Sequence, residues 1–236
     1  SSGSSFTHAA IEIETSESGC SVEMLRKGML SRLKDMEFSV NEALSGSWRG
    51  LLVPEEAYLL HEYGADAASF SSPFVLTAAR IAIAVSTYNA AMGRIVAAPT
   101  AGSCGILPGI LFSYRDHFRC DDETLLSGLF ASAAVGSVTA ARATLAGASG
   151  GCQAECGAAA AMGAAALVQM RGGSPEAVGH AVALAYKSIL GLVCDPVGGL
   201  VESPCIKRNG MLVSLSALAA DMALAEDGFC HRCRRE

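Results

Sequence analysis

The chain has 236 residues, a formal net charge of −6, 51% hydrophobic residues and only 17% charged ones. It is long enough for one large domain or two small ones with a sizeable core. The acidic balance and the lack of a long basic run argue against nucleic acid or an anionic membrane as partner.

Residues 1–10 open with Ser1, Ser2, Gly3, Ser4 and Ser5 and carry neither a basic nor an apolar signal-peptide region. They are set apart as a disordered or foreign lead, with 11–225 as the folded domain and 226–236 as a divergent tail. Ser21 is a candidate helix cap, followed by Val22, Leu25, Met29, Leu33, Met36, Val40 and Leu44 at helical spacing up to Gly46. A second helix is expected from Pro54, with Glu55 and Glu56 in its first turn, fading by Gly64. Ser71, Ser72 and Pro73 start a third, which runs to about Gly93; its β-branched residues are outweighed by Ala78, Ala79, Ala82 and Ala84.

The loop PTAGSCG follows, and Pro108 restarts a helix toward Phe118. Asp121 caps the next one. The longest uncharged run, 124–141, holds Ser127, Gly128, Ser132, Gly136, Ser137 and Thr139, too small and polar for a convincing membrane span. Residues 131–170 are dense in Ala, Gly and Ser, which let helix axes approach closely, so these helices are expected at the centre. Ser174, Pro175 and Glu176 begin another helix, with Val178, Val182, Ala185 and Ile189 as its buried stripe, and a last one is expected over 207–226. No period-two alternation bounded by hairpin turns is present. The expected fold class is all-α, a compact bundle of Ala/Gly-rich helices with the site on glycine-rich loops between them.

Nine cysteines without a secretion signal suit thiols or metal ligands in a reducing compartment, which makes the cytoplasm the expected location. The segment 191–209, GLVCDPVGGLVESPCIKRN, holds Cys194 and Cys205 among two prolines and three glycines. Cys152 opens an apparent helix, where free N–H groups favour a thiolate. Three such thiols on helix-end loops can hold a metal; equally, cysteine is a common small core residue. The terminal Cys230 and Cys233 form a lone CxxC with no partner pair. Thr100 and Ser103 carry hydroxyls and neighbouring amides that suit a carboxylate, or else simply cap their own turn.

PTAGSCGILPG, GCQAECGAAAAMGAAALV and CDPVGGLVESPCIKRN resemble the signatures of the iron–sulfur-dependent bacterial L-serine dehydratases, specifically their α chain or catalytic domain. NAAMGRIVAAPTAG and the stretch SGCSVEMLRKGMLSRLKDMEFSVNEAL match in place, so the resemblance covers roughly 10–225. It implies a [4Fe–4S] cluster on Cys152, Cys194 and Cys205 with one iron left open as a Lewis acid. It also implies a lyase of amino-acid degradation and gluconeogenesis that takes L-serine to pyruvate and ammonia. Thr100, Ser103, Arg208 and Asn209 are the implied substrate-binding residues, and Asn89 and Glu155 stand behind them. None of His8, His61, His117, His180 and His231 lies in a signature loop. The catalytic base is therefore expected on a β chain, which the apolar composition of this chain also accommodates. The alternatives are a desulfidase acting on L-cysteine, or a truncated, non-catalytic protein that binds a cluster or zinc.

Overall fold

The computed structural model describes residues 5–54, 56–66 and 69–233. Among them are ten α-helices and no strand: α1 (Phe6–Ser18), α2 (Val22–Ser45), α3 (Glu56–Asp66), α4 (Pro73–Ala90), α5 (Ile106–Phe118), α6 (Asp122–Arg142), α7 (Gly147–Gly150), α8 (Ala158–Met170), α9 (Pro175–Ile189) and α10 (Glu202–Cys233). The all-α expectation holds, and most boundaries follow from local chemistry. Ser21, Ser72, Asp121 and Ser174 each accept a backbone N–H three residues on, which satisfies one of the donors a helix start leaves free. Pro73 and Pro175 sit in first turns, where a missing N–H costs nothing.

Three differences stand out. Helix α1 begins at Phe6, inside the segment set apart as a lead, because Ser5 caps it and Thr7 is buried with its hydroxyl on the Ser127 carbonyl, 2.8 Å away. Helix α5 starts at Ile106, two residues before Pro108, which fits within its first turn. Helix α10 starts at Glu202, so Pro204 and Cys205 lie in its first two turns and not in the preceding loop. Residues 1–4, Glu55 and 234–236 lie outside the described residues, as do the side chains of Cys230, His231 and Cys233.

Helix α8 is the axis of the molecule. Twelve of its thirteen residues are buried, seven of them alanines. Helices α6, α9, α10 and α5 all pack on it. Its two methionines, Met162 and Met170, sit over Gly136 and Gly128 of α6, where a side chain would collide with them. Three hydroxyls on neighbouring helices reach its backbone carbonyls: Ser216 to Ala160 at 2.9 Å, Ser132 to Met162 at 2.9 Å and Tyr114 to Met170 at 3.0 Å. Such contacts need the axes close together, which only small residues allow. The same device joins α4 to α5, where a methyl on Gly105 would overlap the Ala82 carbonyl oxygen and one on Gly109 would lie 2.6 Å from the Ala78 carbonyl oxygen. Helix α6 is long and apolar enough to cross a membrane by length and composition, and half of its apolar window is buried within the fold.

Gly109→Ala should therefore destabilise the protein by about 1–3 kcal/mol, because the obstacle is a backbone oxygen that cannot swing away. Gly179, on the exposed face of α9 with nothing within 4 Å, is the control. Gly179→Ala should leave stability unchanged or raise it by up to ~1 kcal/mol. Denaturant midpoints of the two variants read the difference.

Candidate functional site: thiols at the ends of three helices

The site lies where the start of the α8 segment, the loop after α9 and the first turns of α10 come together. Residues Gln153–Gly157 form a π-helical stretch immediately before α8. Such widened turns occur mainly where a helix is shaped for function. Here the stretch stacks Cys152 and Cys156 one above the other, and both are buried. Gly151, at φ +72°, lets the cysteine loops run side by side: a Cβ there would sit 3.1 Å from the Leu192 oxygen and 3.3 Å from the Cys194 nitrogen. The Gln153 N–H donates to the Leu192 carbonyl at 2.9 Å, and the Gly191 N–H donates to the Gln153 side-chain oxygen at 2.9 Å.

The loop itself is closed by a tight turn. Val197 and Leu200 exchange backbone hydrogen bonds of 2.9 and 3.0 Å, with Gly198 and Gly199 between them at φ +59° and +80°. Two consecutive positive φ angles are what a type I′ turn requires, and glycine meets that at no steric cost.

Asn209 ties the third glycine-rich loop to α10. It is fully buried. Its side-chain oxygen accepts the Gly105 N–H at 2.9 Å, and its amide donates to the Gly102 and Cys205 carbonyls at 2.8 Å each. Thr100 and Ser103 are turned toward each other, 3.2 Å between hydroxyls, across a short 3₁₀ turn at Ala101–Ser103. Ser103 is fully buried and also donates toward the Ala98 carbonyl at 3.4 Å, so its hydroxyl belongs to the loop's own framework. Asn89 donates to the Ala101 carbonyl at 3.2 Å.

Arg208 joins the remaining pieces. It donates to the Val193 carbonyl at 2.8 Å and pairs with Asp195 at 2.6 Å, both on the Cys194 loop. Its positive charge also acts on Cys152. Cys152 is held well below the ordinary thiol range, first by the hydrogen bond from Cys156 and then by Arg208, which together outweigh its burial. Cys156 is pushed far up for the reciprocal reason, since it keeps the shared proton and is buried beside a thiolate. Burial and the negative charge of Cys152 raise Cys205 to about 11. Thus Cys152, Cys194 and Cys205 reach one region from three separate segments, with Cys194 exposed and Cys205 half-buried. Among the described residues no three His, Cys, Asp or Glu side chains are grouped closely enough to hold a metal ion. As donors the three cysteines are soft thiols, one already favouring its anionic form, which is the chemistry a thiolate-bound metal or cluster asks for.

A cleft of about 340 Å³ opens beside Cys205, lined among others by Leu51, Asn89, Gly102 and Glu202. Sequence reading missed the role of Glu202. Its carboxylate accepts the backbone N–H groups of Leu51, Leu52 and Val53 at 3.0, 2.9 and 2.9 Å and pins that strap over the cleft. The one sequence signal was Gly50, where a Cβ would strike the Glu202 carboxylate. His8, His61, His117 and His180 lie on α1, α3, α5 and α9, outside the three cysteine segments, and His231 lies near the far end of α10.

Fold and site together define an all-α protein with a thiol-lined site where three helix ends meet. The family described as Serine dehydratase alpha chain matches residues 2–235, and the chain belongs to it, within the lyases. The chain is 45% identical over 92% of its length to a probable L-serine dehydratase, alpha chain, of Bacillus subtilis, covering 72% of that protein. It is 41% identical over 91% of its length to the L-serine dehydratase, alpha chain, of Peptoniphilus asaccharolyticus, covering 74% of it. Against L-serine dehydratase TdcG of Escherichia coli it is 44% identical over 61% of its length, covering 32% of that longer protein.

The three N–H donors around Glu202 outweigh its burial and hold its carboxyl below the usual range. The stability it contributes should be fully present above the ordinary glutamate pKa and be lost as pH falls through its lowered folded value. Glu202→Gln should accordingly flatten the acid limb of the pH–stability curve, with wild type and variant converging at the lowest pH. The measurement is denaturant unfolding across the acid range.

Proposed function

We propose that this chain is the α subunit of an L-serine dehydratase, which removes water and then ammonia from L-serine to leave pyruvate. The observation that supports it most is the meeting of Cys152, Cys194 and Cys205 on three segments, within a chain that matches this family along nearly its whole length. In this reading those three thiolates hold a [4Fe–4S] cluster, which when bound supplies an open iron as Lewis acid.

The chain's own residues do the rest. Arg208 keeps Cys152 anionic and fixes the Cys194 loop against it. Asn209 and Ser103 hold the 98–105 loop rigid, so that Thr100 and the neighbouring amides are positioned for the substrate carboxylate; Arg208 adds positive charge on the other side. The cleft beside Cys205 takes the substrate, and the strap pinned by Glu202 limits water entry. The base that removes the Cα proton comes from a β chain. An exposed apolar rim beside the thiols suits that partner: Leu51, Val193, Val197, Leu200 and Val201 are all 41% exposed or more. A cytoplasmic, reducing location follows from the thiol chemistry.

Anaerobic loading with iron and sulfide, then assay of pyruvate from L-serine with and without the β chain, tests the whole reading. Activity is expected with the partner and not without it. Cys152→Ser, Cys194→Ser and Cys205→Ser should each lose iron and sulfide, whereas Cys120→Ser, on the α5–α6 connection, should keep both. If all four variants behave alike, the ligand assignment is wrong.

A further inference from the structure

We infer that Glu155 is the residue that receives the substrate's ammonium group. The inference rests on the reading of an amino-acid substrate and adds to it the residue that reads the amino group. Glu155 projects from the π-helical stretch between Cys152 and Cys156 on one side and the 98–105 loop on the other. Its carboxylate lies in a cradle made by two glycines. A Cβ on Gly147 would overlap it, and one on Gly102 would stand 3.4 Å from both oxygens. Its charge acts on Cys152, Cys156 and Cys205, which puts it in the same chamber as the thiols.

Among the described residues no hydrogen bond or ion pair reaches this carboxylate, although it is half-buried. The nearest cation of the site, Arg208, is already committed to Asp195, Val193 and Cys152. The chamber thus holds an engaged arginine, at least one thiolate and an unengaged carboxylate. A half-buried negative charge without a partner is costly, and a cation arriving from solution offsets that cost. An ammonium group fits because it brings both charge and three N–H donors to a carboxylate that accepts only. Gly102 of the 98–105 loop also lines the cleft beside Cys205, so the carboxylate stands at the wall of the cleft that takes the amino acid.

The test uses the cluster-loaded complex with its β chain and compares wild type, Glu155→Gln and Glu155→Asp. L-serine turnover gives KM and kcat. Inhibition by 3-hydroxypropionate, which is serine without its amino group, reports on the rest of the pocket. Iron and sulfide content reports on the cluster. Glu155→Gln should raise KM for L-serine by about 10- to 100-fold, the range a charge-assisted hydrogen bond spans. It should leave 3-hydroxypropionate affinity and cluster content unchanged, and Glu155→Asp should recover part of the loss. An unchanged KM overturns the inference, as does equal weakening for serine and 3-hydroxypropionate, or loss of iron. Wild-type complex that neither binds nor turns over L-serine overturns the proposed activity itself, and the inference with it.

Discussion

The constraint on which everything else depends is the burial of a helix with almost no side chains. Helix α8 presents mostly the methyl groups of seven alanines, so its neighbours must come close to gain packing. They do so by placing glycine where α8 places methionine and by sending short hydroxyls onto its carbonyls. A helix held this tightly from several sides cannot slide or rotate without losing many contacts at once. Its N-terminal extension, which carries Cys152, Glu155 and Cys156, inherits that rigidity.

The other two cysteine segments are then positioned relative to α8 by a small number of polar ties. Asn209 uses its side-chain amide to fasten the 98–105 loop to α10. Arg208, its neighbour, reaches the other way and fastens the Cys194 loop to Cys152. Consecutive residues on one helix thus organise opposite walls of the same chamber. Gly151 completes the arrangement by removing the side chain that would hold the two thiol loops apart.

The electrostatics of the chamber follow from this geometry. Thiols brought together repel one another's charge, so one proton stays with Cys156 while Cys152, which faces the Arg208 cation, favours its thiolate. Cys205 is pushed up by its burial and by the charge that Cys152 keeps. A chamber with that balance offers soft donors at its thiols.

The sequence by itself determined the helices and the kind of chemistry. Caps at Ser21, Ser72, Asp121 and Ser174 act on donors three residues away, and apolar stripes act within one helix, so both are local and legible in the chain. Long motifs in fixed order carried the family, because they preserve the loops that bear the cysteines. What the tertiary structure alone decided is which polar groups are already used. By their own chemistry Thr100 and Ser103 read as a self-capped turn and by the resemblance as substrate contacts, and the fold buries Ser103 within the turn. Glu202 fell in the loop before the expected last helix, and only the fold brings residues some 150 positions earlier to donate to it. Glu155 stands out only once every other charge in the chamber has found its partner. Pairing between distant segments depends on which backbones come within hydrogen-bond reach, and no local pattern encodes that distance.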